Sequence, residues 1–140
     1  MPIIITNSGK QTFALGKKIA KDLKGNMVIG LIGDLGAGKT VFSQGFASGL
    51  NVKRTVNSPT FVLMKVYPIK HKIIKNLVHI DAYRIKDGQD IINIGGEEYF
   101  NREDTVTLIE WADKVKKILP KKTKIIKIEI LDNNKRKIIF

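Results

Sequence analysis

Residues 33 to 40 read Gly-Asp-Leu-Gly-Ala-Gly-Lys-Thr, which fits the spacing G-x-x-x-x-G-K-[ST] of a polyphosphate-binding loop. Gly33, Gly36 and Gly38 let the backbone curl until successive N–H groups point at one anion. A helix starting near Gly38 adds the positive end of its dipole. Lys39 can reach β- and γ-phosphates, and the Thr40 hydroxyl can ligate Mg²⁺. The candidate nucleotide-binding residues are therefore Gly33, Asp34, Leu35, Gly36, Ala37, Gly38, Lys39 and Thr40.

Such a loop needs an acidic partner at the end of a neighbouring strand, holding Mg²⁺ directly or through water. Two positions qualify. Asp81 ends the apolar run Leu77-Val-His-Ile, and Glu110 ends Val106-Thr-Leu-Ile. Spacing alone does not rank them. Thr60 follows Pro59 in a loop and is a candidate switch hydroxyl sensing Mg²⁺ and the γ-phosphate; the alternative is a hydroxyl that closes a turn. Trp111 either packs in the core or lies over the nucleotide. Arg84 either stabilises phosphoryl charge or pairs with an acidic neighbour. His79 reads as a core or hairpin residue before it reads as a catalyst. No Asn-Lys-x-Asp segment, the usual reader of guanine, occurs, which favours ATP over GTP. No long arginine-rich lid is visible, which counts against a small-molecule kinase.

The surrounding pattern supplies what the loop requires. Met27 to Ile32 is a short, nearly all-apolar run, suited to a strand buried on both faces of a parallel sheet. Val41 to Leu50 reads as a helix, with Val41, Phe42, Phe46, Ala47 and Leu50 apolar and Gly49 near its stop. Upstream, Ile3 to Thr6 reads as a strand. Ser8 reads as a helix N-cap with Gln11 as its capping-box partner. Leu15, Ile19 and Leu23 then form one stripe, and Gly25 a stop. Downstream, strands over Phe61 to Tyr67 and Asn76 to Asp81 make an antiparallel hairpin. A short helix spans Asp87 to Ile94, a strand Thr105 to Glu110, and a second short helix Asp113 to Leu119, stopped by Pro120. Strands over Lys124 to Leu131 and Arg136 to Phe140 flank a turn at Asp132-Asn-Asn134. The sum is an α/β fold of the P-loop NTPase type: a central, mainly parallel sheet flanked by helices, with an antiparallel hairpin insertion.

A chain of 140 residues predicts one domain over positions 1 to 140. No apolar run approaches the roughly 20 residues that cross a bilayer, and the first residues lack the features of a signal peptide. With no cysteine, disulfides and thiolate metal sites are excluded, and a reducing cytoplasm fits. The net charge is +12. Lysines number 21 against four arginines, and ten basic residues face two acidic ones between Lys114 and Lys137. That balance fits either a solvated surface or contact with RNA or an acidic protein.

Four blocks together resemble the TsaE (YjeE) family of bacterial P-loop ATPases: Gly33–Thr40 (GDLGAGKT), Ser58–Phe61 (SPTF), His79–Arg84 (HIDAYR) and Leu108–Trp111 (LIEW). Glu97 to Phe100 matches a further acidic-aromatic stretch, and the resemblance spans essentially the whole chain. It implies that Lys39 and Thr40 bind ATP phosphates and Mg²⁺, and that Glu110 is the metal-site carboxylate. It implies that Asp81 lies near the γ-phosphate and serves hydrolysis, that Thr60 belongs to a switch-like loop, and that Trp111 sits close to the nucleotide. The family's Gly-Arg turn near the adenine falls on Asn133 to Arg136, which makes Arg136 a candidate nucleotide contact. Val41 stands where many members carry a second threonine. The implied function is ATP hydrolysis in support of TsaD and TsaB. Those proteins transfer a threonylcarbamoyl group to N6 of the adenosine beside the anticodon, so tRNA is met only through the complex, with no membrane involved. Two other classes compete: a small-molecule kinase on the same fold, and a nucleic-acid-binding module with a regulatory P-loop, which predicts RNA binding steeply dependent on salt.

Overall fold

A computed structural model describes residues 2–52 and 63–140. Its organising strand is β2 (Met27–Ile32), buried along Val28 to Leu31 and hydrogen-bonded in parallel to β5 (Thr105–Glu110) on one side and to β6 (Lys124–Ile130) on the other. Strand β4 (Asn76–Asp81) runs parallel to β5, and β3 (Met64–Pro68) returns antiparallel to β4 at that edge. At the opposite edge, β7 (Arg136–Ile139) is antiparallel to both β6 and β1 (Ile3–Thr6). The described residues thus form a seven-stranded sheet in the order β1-β7-β6-β2-β5-β4-β3. The four central strands are parallel; β2, β4 and β5 are buried along most of their length, β5 without a break, whereas β6 alternates, with only Ile126 and Ile128 buried. The hairpin's inner strand, β4, is also a member of the parallel set.

Side-chain alternation divides the core in two. Ile29 and Leu31 of β2, Leu77 of β4, and Val106 and Leu108 of β5 pack beneath α1 (Gly9–Lys21) and α2 (Lys39–Gly49). Val28, Val78, Ile80 and Ile109 point the other way, against Ile91 of the short helix α3 (Gln89–Asn93), Phe100, Ala112 and Val115.

Helix α1 starts as its residues demand. The Ser8 hydroxyl accepts from Gln11 N–H at 3.1 Å, and Gln11 Oε1 accepts from Asn7 N–H at 2.7 Å. The expected reciprocal cap thus forms, displaced by one residue on its return half. Leu15, Ile19 and Leu23 pack against the first core. Helices α1 and α2 meet backbone to backbone. A Cβ on Gly45 would lie 2.0 Å from the Phe13 carbonyl oxygen, and one on Gly49 2.4 Å from that of Lys17. Gly49 is therefore not the helix terminator expected of it. The left-handed residue after α2 is Asn51, φ 63°. Gly25 likewise lies beyond the end of α1, which is capped by Asp22.

Three boundaries move. The helix expected over Asp87 to Ile94 is one turn, α3. That expected over Asp113 to Leu119 is a 3₁₀ segment, Ala112–Ile118, broken at Val115 (φ −128°, ψ 26°). Of the strand expected from Phe61, the described part begins at Met64.

Candidate active site

Loop 33–38 leaves the carboxyl end of β2 and enters α2 at Lys39, the strand–loop–helix order that a phosphate site requires. Gly36 (φ 81°) and Gly38 (φ 104°) are left-handed, which a Cβ would strain. Gly33 needs its missing side chain for another reason: a Cβ there would lie 2.6 Å from the Ile128 carbonyl oxygen of β6. The loop's rim is open, with Asp34, Leu35 and Gly36 exposed and Ala37 buried.

Lys39 is 5% exposed. Its ammonium donates to the carbonyl oxygens of Gly33 at 2.5 Å and Asp34 at 2.8 Å, and lies 4.0 Å from the centroid of the Trp111 ring. Burial lowers its pKa below the ordinary 10.5, partly offset by the negative fields of Glu110, Asp81, Asp34 and Asp113. The carbonyl groups it caps belong to the loop itself, so a phosphate would compete with them for the same ammonium.

The two acidic candidates are cross-strand partners. Asp81 pairs with Glu110 in the β4–β5 register, at the carboxyl ends of both strands. Both belong to the alternation that faces α2, since Leu77 and His79 precede Asp81 on that side, and Val106 and Leu108 precede Glu110. Glu110 is buried, and its Oε1 accepts from the Thr40 hydroxyl at 3.4 Å. Its Oε2 lies 2.6 Å from Nε2 of His79, which is fully buried. Asp81 is half-buried and accepts from Tyr83 N–H at 3.0 Å. One hydroxyl and two carboxylates are hard oxygen donors, the set Mg²⁺ prefers.

Trp111 adopts φ 60°, ψ 40°, a left-handed conformation that costs a non-glycine residue roughly 1–3 kcal/mol. That geometry turns the chain directly after β5 and carries the indole to Lys39. Tyr83 packs against the same ring, with centroids 5.1 Å apart. The Lys114 ammonium lies 5.3 Å from the Tyr83 ring and 5.6 Å from Trp111, and donates to the Tyr83 carbonyl oxygen.

Arg136, at the start of β7, grips the loop from outside. Its Nε donates to Ala37 O at 2.9 Å and Nη2 to Gly36 O at 3.2 Å, while Nη1 donates to Asp132 O at 2.8 Å. The guanidinium thereby ties the β6–β7 turn to the phosphate loop. Asp132 orders that turn by accepting from Asn134 N–H and Lys135 N–H, which lowers its carboxyl pKa below the ordinary range.

Lys39, Thr40, Asp81, Glu110 and Trp111 thus meet at one end of the sheet, and Arg136 meets the loop's outer side. Thr60 and the block 58–61 lie outside the described residues. Arg84 is exposed. Sequence reasoning undervalued His79 and did not single out Tyr83 or Lys114. For His79 the signal was available, because it stands two residues before Asp81 and strand alternation puts both on one face.

A model of the family described as "Threonylcarbamoyl adenosine biosynthesis protein TsaE" matches residues 6–138. The chain belongs to the TsaE family. It is 39% identical over 135 residues to the Bacillus subtilis tRNA threonylcarbamoyladenosine biosynthesis protein TsaE, covering 96% of this chain and 82% of that one. The Aquifex aeolicus protein of the same name is 39% identical over 137 residues, covering 96% and 92%. The Haemophilus influenzae one is 37% identical over 123 residues, covering 84% and 75%. Among solved structures, Bacillus subtilis YdiB superposes with a TM-score of 0.79 at 34% identity, over 98% of this chain and 82% of that one. This agreement bears out the mixed α/β architecture read from the sequence. Among the described residues no helix is long and apolar enough to cross a membrane.

Proposed function

We propose that this chain is a single-domain, cytoplasmic ATPase that supports threonylcarbamoylation of the adenosine beside the tRNA anticodon, acting with TsaD and TsaB. Family membership supplies the pathway. The observation that carries the ATPase reading is the convergence of Lys39, Thr40 and Glu110 at the amino end of α2, with the Thr40 hydroxyl already directed at Glu110.

ATP is the substrate. A water oxygen attacks the γ-phosphorus in line, and the bond to the β–γ bridging oxygen breaks to leave ADP and phosphate. Lys39 exchanges the carbonyl groups of Gly33 and Asp34 for phosphate oxygens, and loop N–H groups with the α2 dipole hold the negative charge. Thr40 and Glu110 would hold Mg²⁺, with Asp81 as a second carboxylate. That ion, when bound, neutralises phosphate charge. Asp81 or Thr60 places the attacking water. Arg136 keeps the loop in shape beside the base. TsaD and TsaB complete the site, so the isolated chain is slow.

The test is ATP hydrolysis by the purified chain with and without the cognate TsaD–TsaB pair. Strong stimulation supports the reading. Fast turnover by the chain alone, unaltered by the pair, contradicts it.

A further inference from the structure

His79 is fully buried in β4, yet leucine would fill its space without a polar atom to satisfy. Its neighbours on that face, Leu77 and Leu108, are apolar. Its Nδ1 has no hydrogen-bond partner among the described residues. The ring's one polar tie among the described residues is Nε2 to Glu110 Oε2 at 2.6 Å. Burying an imidazole with one nitrogen unsatisfied is unfavourable, so packing does not account for the residue type. The geometry of Glu110 does. With Oε2 against His79, Oε1 faces the Thr40 hydroxyl at 3.4 Å. Register makes the contact possible: Asp81 is directly opposite Glu110, which puts His79 at the diagonal position on the same face.

We propose that His79 is a positioning residue for the metal-site carboxylate. A hydrogen bond between Nε2 and Oε2 holds the carboxylate from behind, leaving Oε1 of Glu110 and the Thr40 hydroxyl to face a divalent cation together. A ligating carboxylate held by a hydrogen bond from behind binds its metal more tightly than one free to rotate. The inference rests on the ATPase reading above, in particular on Glu110 as the metal-site carboxylate.

The test uses the full chain and three variants, H79Q, H79N and H79L. A glutamine amide nitrogen reaches the position of Nε2, whereas an asparagine amide nitrogen reaches only that of Nδ1. Binding of a non-hydrolysable ATP analogue is titrated by calorimetry across Mg²⁺ concentrations and in EDTA, and each protein's thermal melting is recorded. We expect H79L and H79N to need roughly tenfold more Mg²⁺ for half-maximal enhancement of binding. Affinity in EDTA should stay within about twofold of wild type, and H79Q should restore the Mg²⁺ response to within about threefold. Should H79L fail to fold, the contrast between H79Q and H79N decides alone. Equal Mg²⁺ responses in all variants that fold would overturn the positioning role. So would loss of EDTA binding in step with melting temperature, with no rescue by H79Q. A wild-type chain that binds the analogue with no dependence on Mg²⁺ would overturn the metal-site reading, and this inference with it.

Discussion

The Lys39 ammonium stands 4.0 Å from the centre of the Trp111 ring while it donates to the carbonyl oxygens of Gly33 and Asp34. The lysine that ends the glycine-rich loop therefore interacts with that loop and with an indole held by a left-handed backbone. Trp111 is the chain's one tryptophan, which makes the relationship measurable. On the proposed ATPase reading, bound ATP would draw the ammonium toward phosphate and remove a cation from the indole face. We predict a saturable change in intrinsic fluorescence on ATP binding. In Lys39→Ala that change should be lost or reversed; an unaltered signal in this variant would separate Trp111 from the lysine.

The depressed pKa of Lys39 gives ATP affinity a direction with pH. In the free chain burial favours the neutral amine; bound phosphates favour the ammonium and raise the pKa. Affinity is then fully present below the free-state pKa and falls as pH rises through it toward the bound-state value. The loss should start below the ordinary 10.5 of lysine. Titrating ATP affinity upward from neutral pH checks this, with Lys39→Met as the flat control.

Arg136 supports the loop through main-chain carbonyl groups, so its removal should loosen the loop before it touches chemistry. Arg136→Ala is expected to cost about 1–2 kcal/mol of stability and to weaken ATP binding by roughly tenfold, the binding equivalent of the middle of that range. Denaturant unfolding and calorimetry measure the two. Arg136→Lys should recover little, because one ammonium cannot span both Ala37 and the β6–β7 turn in a fork.

The α1–α2 contact predicts a sharper loss. Gly45→Ala would drive a methyl group to 2.0 Å from the Phe13 carbonyl oxygen, a backbone atom that cannot turn aside. We expect destabilisation of about 1–3 kcal/mol from overpacking, read by denaturant unfolding. Gly9→Ala, where a Cβ would meet nothing within 4 Å among the described residues, is the control and should stay within about 0.5 kcal/mol.

Much of this site was legible in the sequence because its parts are local. The apolar run Met27 to Ile32 and the glycines after it specify strand and loop together, and Asp81 and Glu110 each stand out as a carboxylate ending a short apolar run, though only the β4–β5 register shows that they lie opposite one another. What was not legible depends on distant chain. Gly49 looks like a helix stop, and only the approach of α1, through the Lys17 carbonyl oxygen, shows that its role is packing. Asp113 to Leu119 has helical composition, yet the kink at Val115 leaves it as 3₁₀. Arg136 carries no local sign that it reaches back to Gly36 and Ala37, some hundred residues earlier. His79 was readable in principle, but its value depends on β4 lying beside β5, a pairing across 31 positions.

The most direct measurement is steady-state ATP hydrolysis by the purified chain, alone and with its cognate TsaD–TsaB pair, for wild type, Lys39→Ala and Glu110→Ala. We expect slow turnover alone, strong stimulation by the pair, and a loss of about 100-fold or more in both variants under stimulation. Hydrolysis that the pair does not change, or that survives in Glu110→Ala, would contradict a partner-completed ATPase site built on Lys39, Thr40 and Glu110.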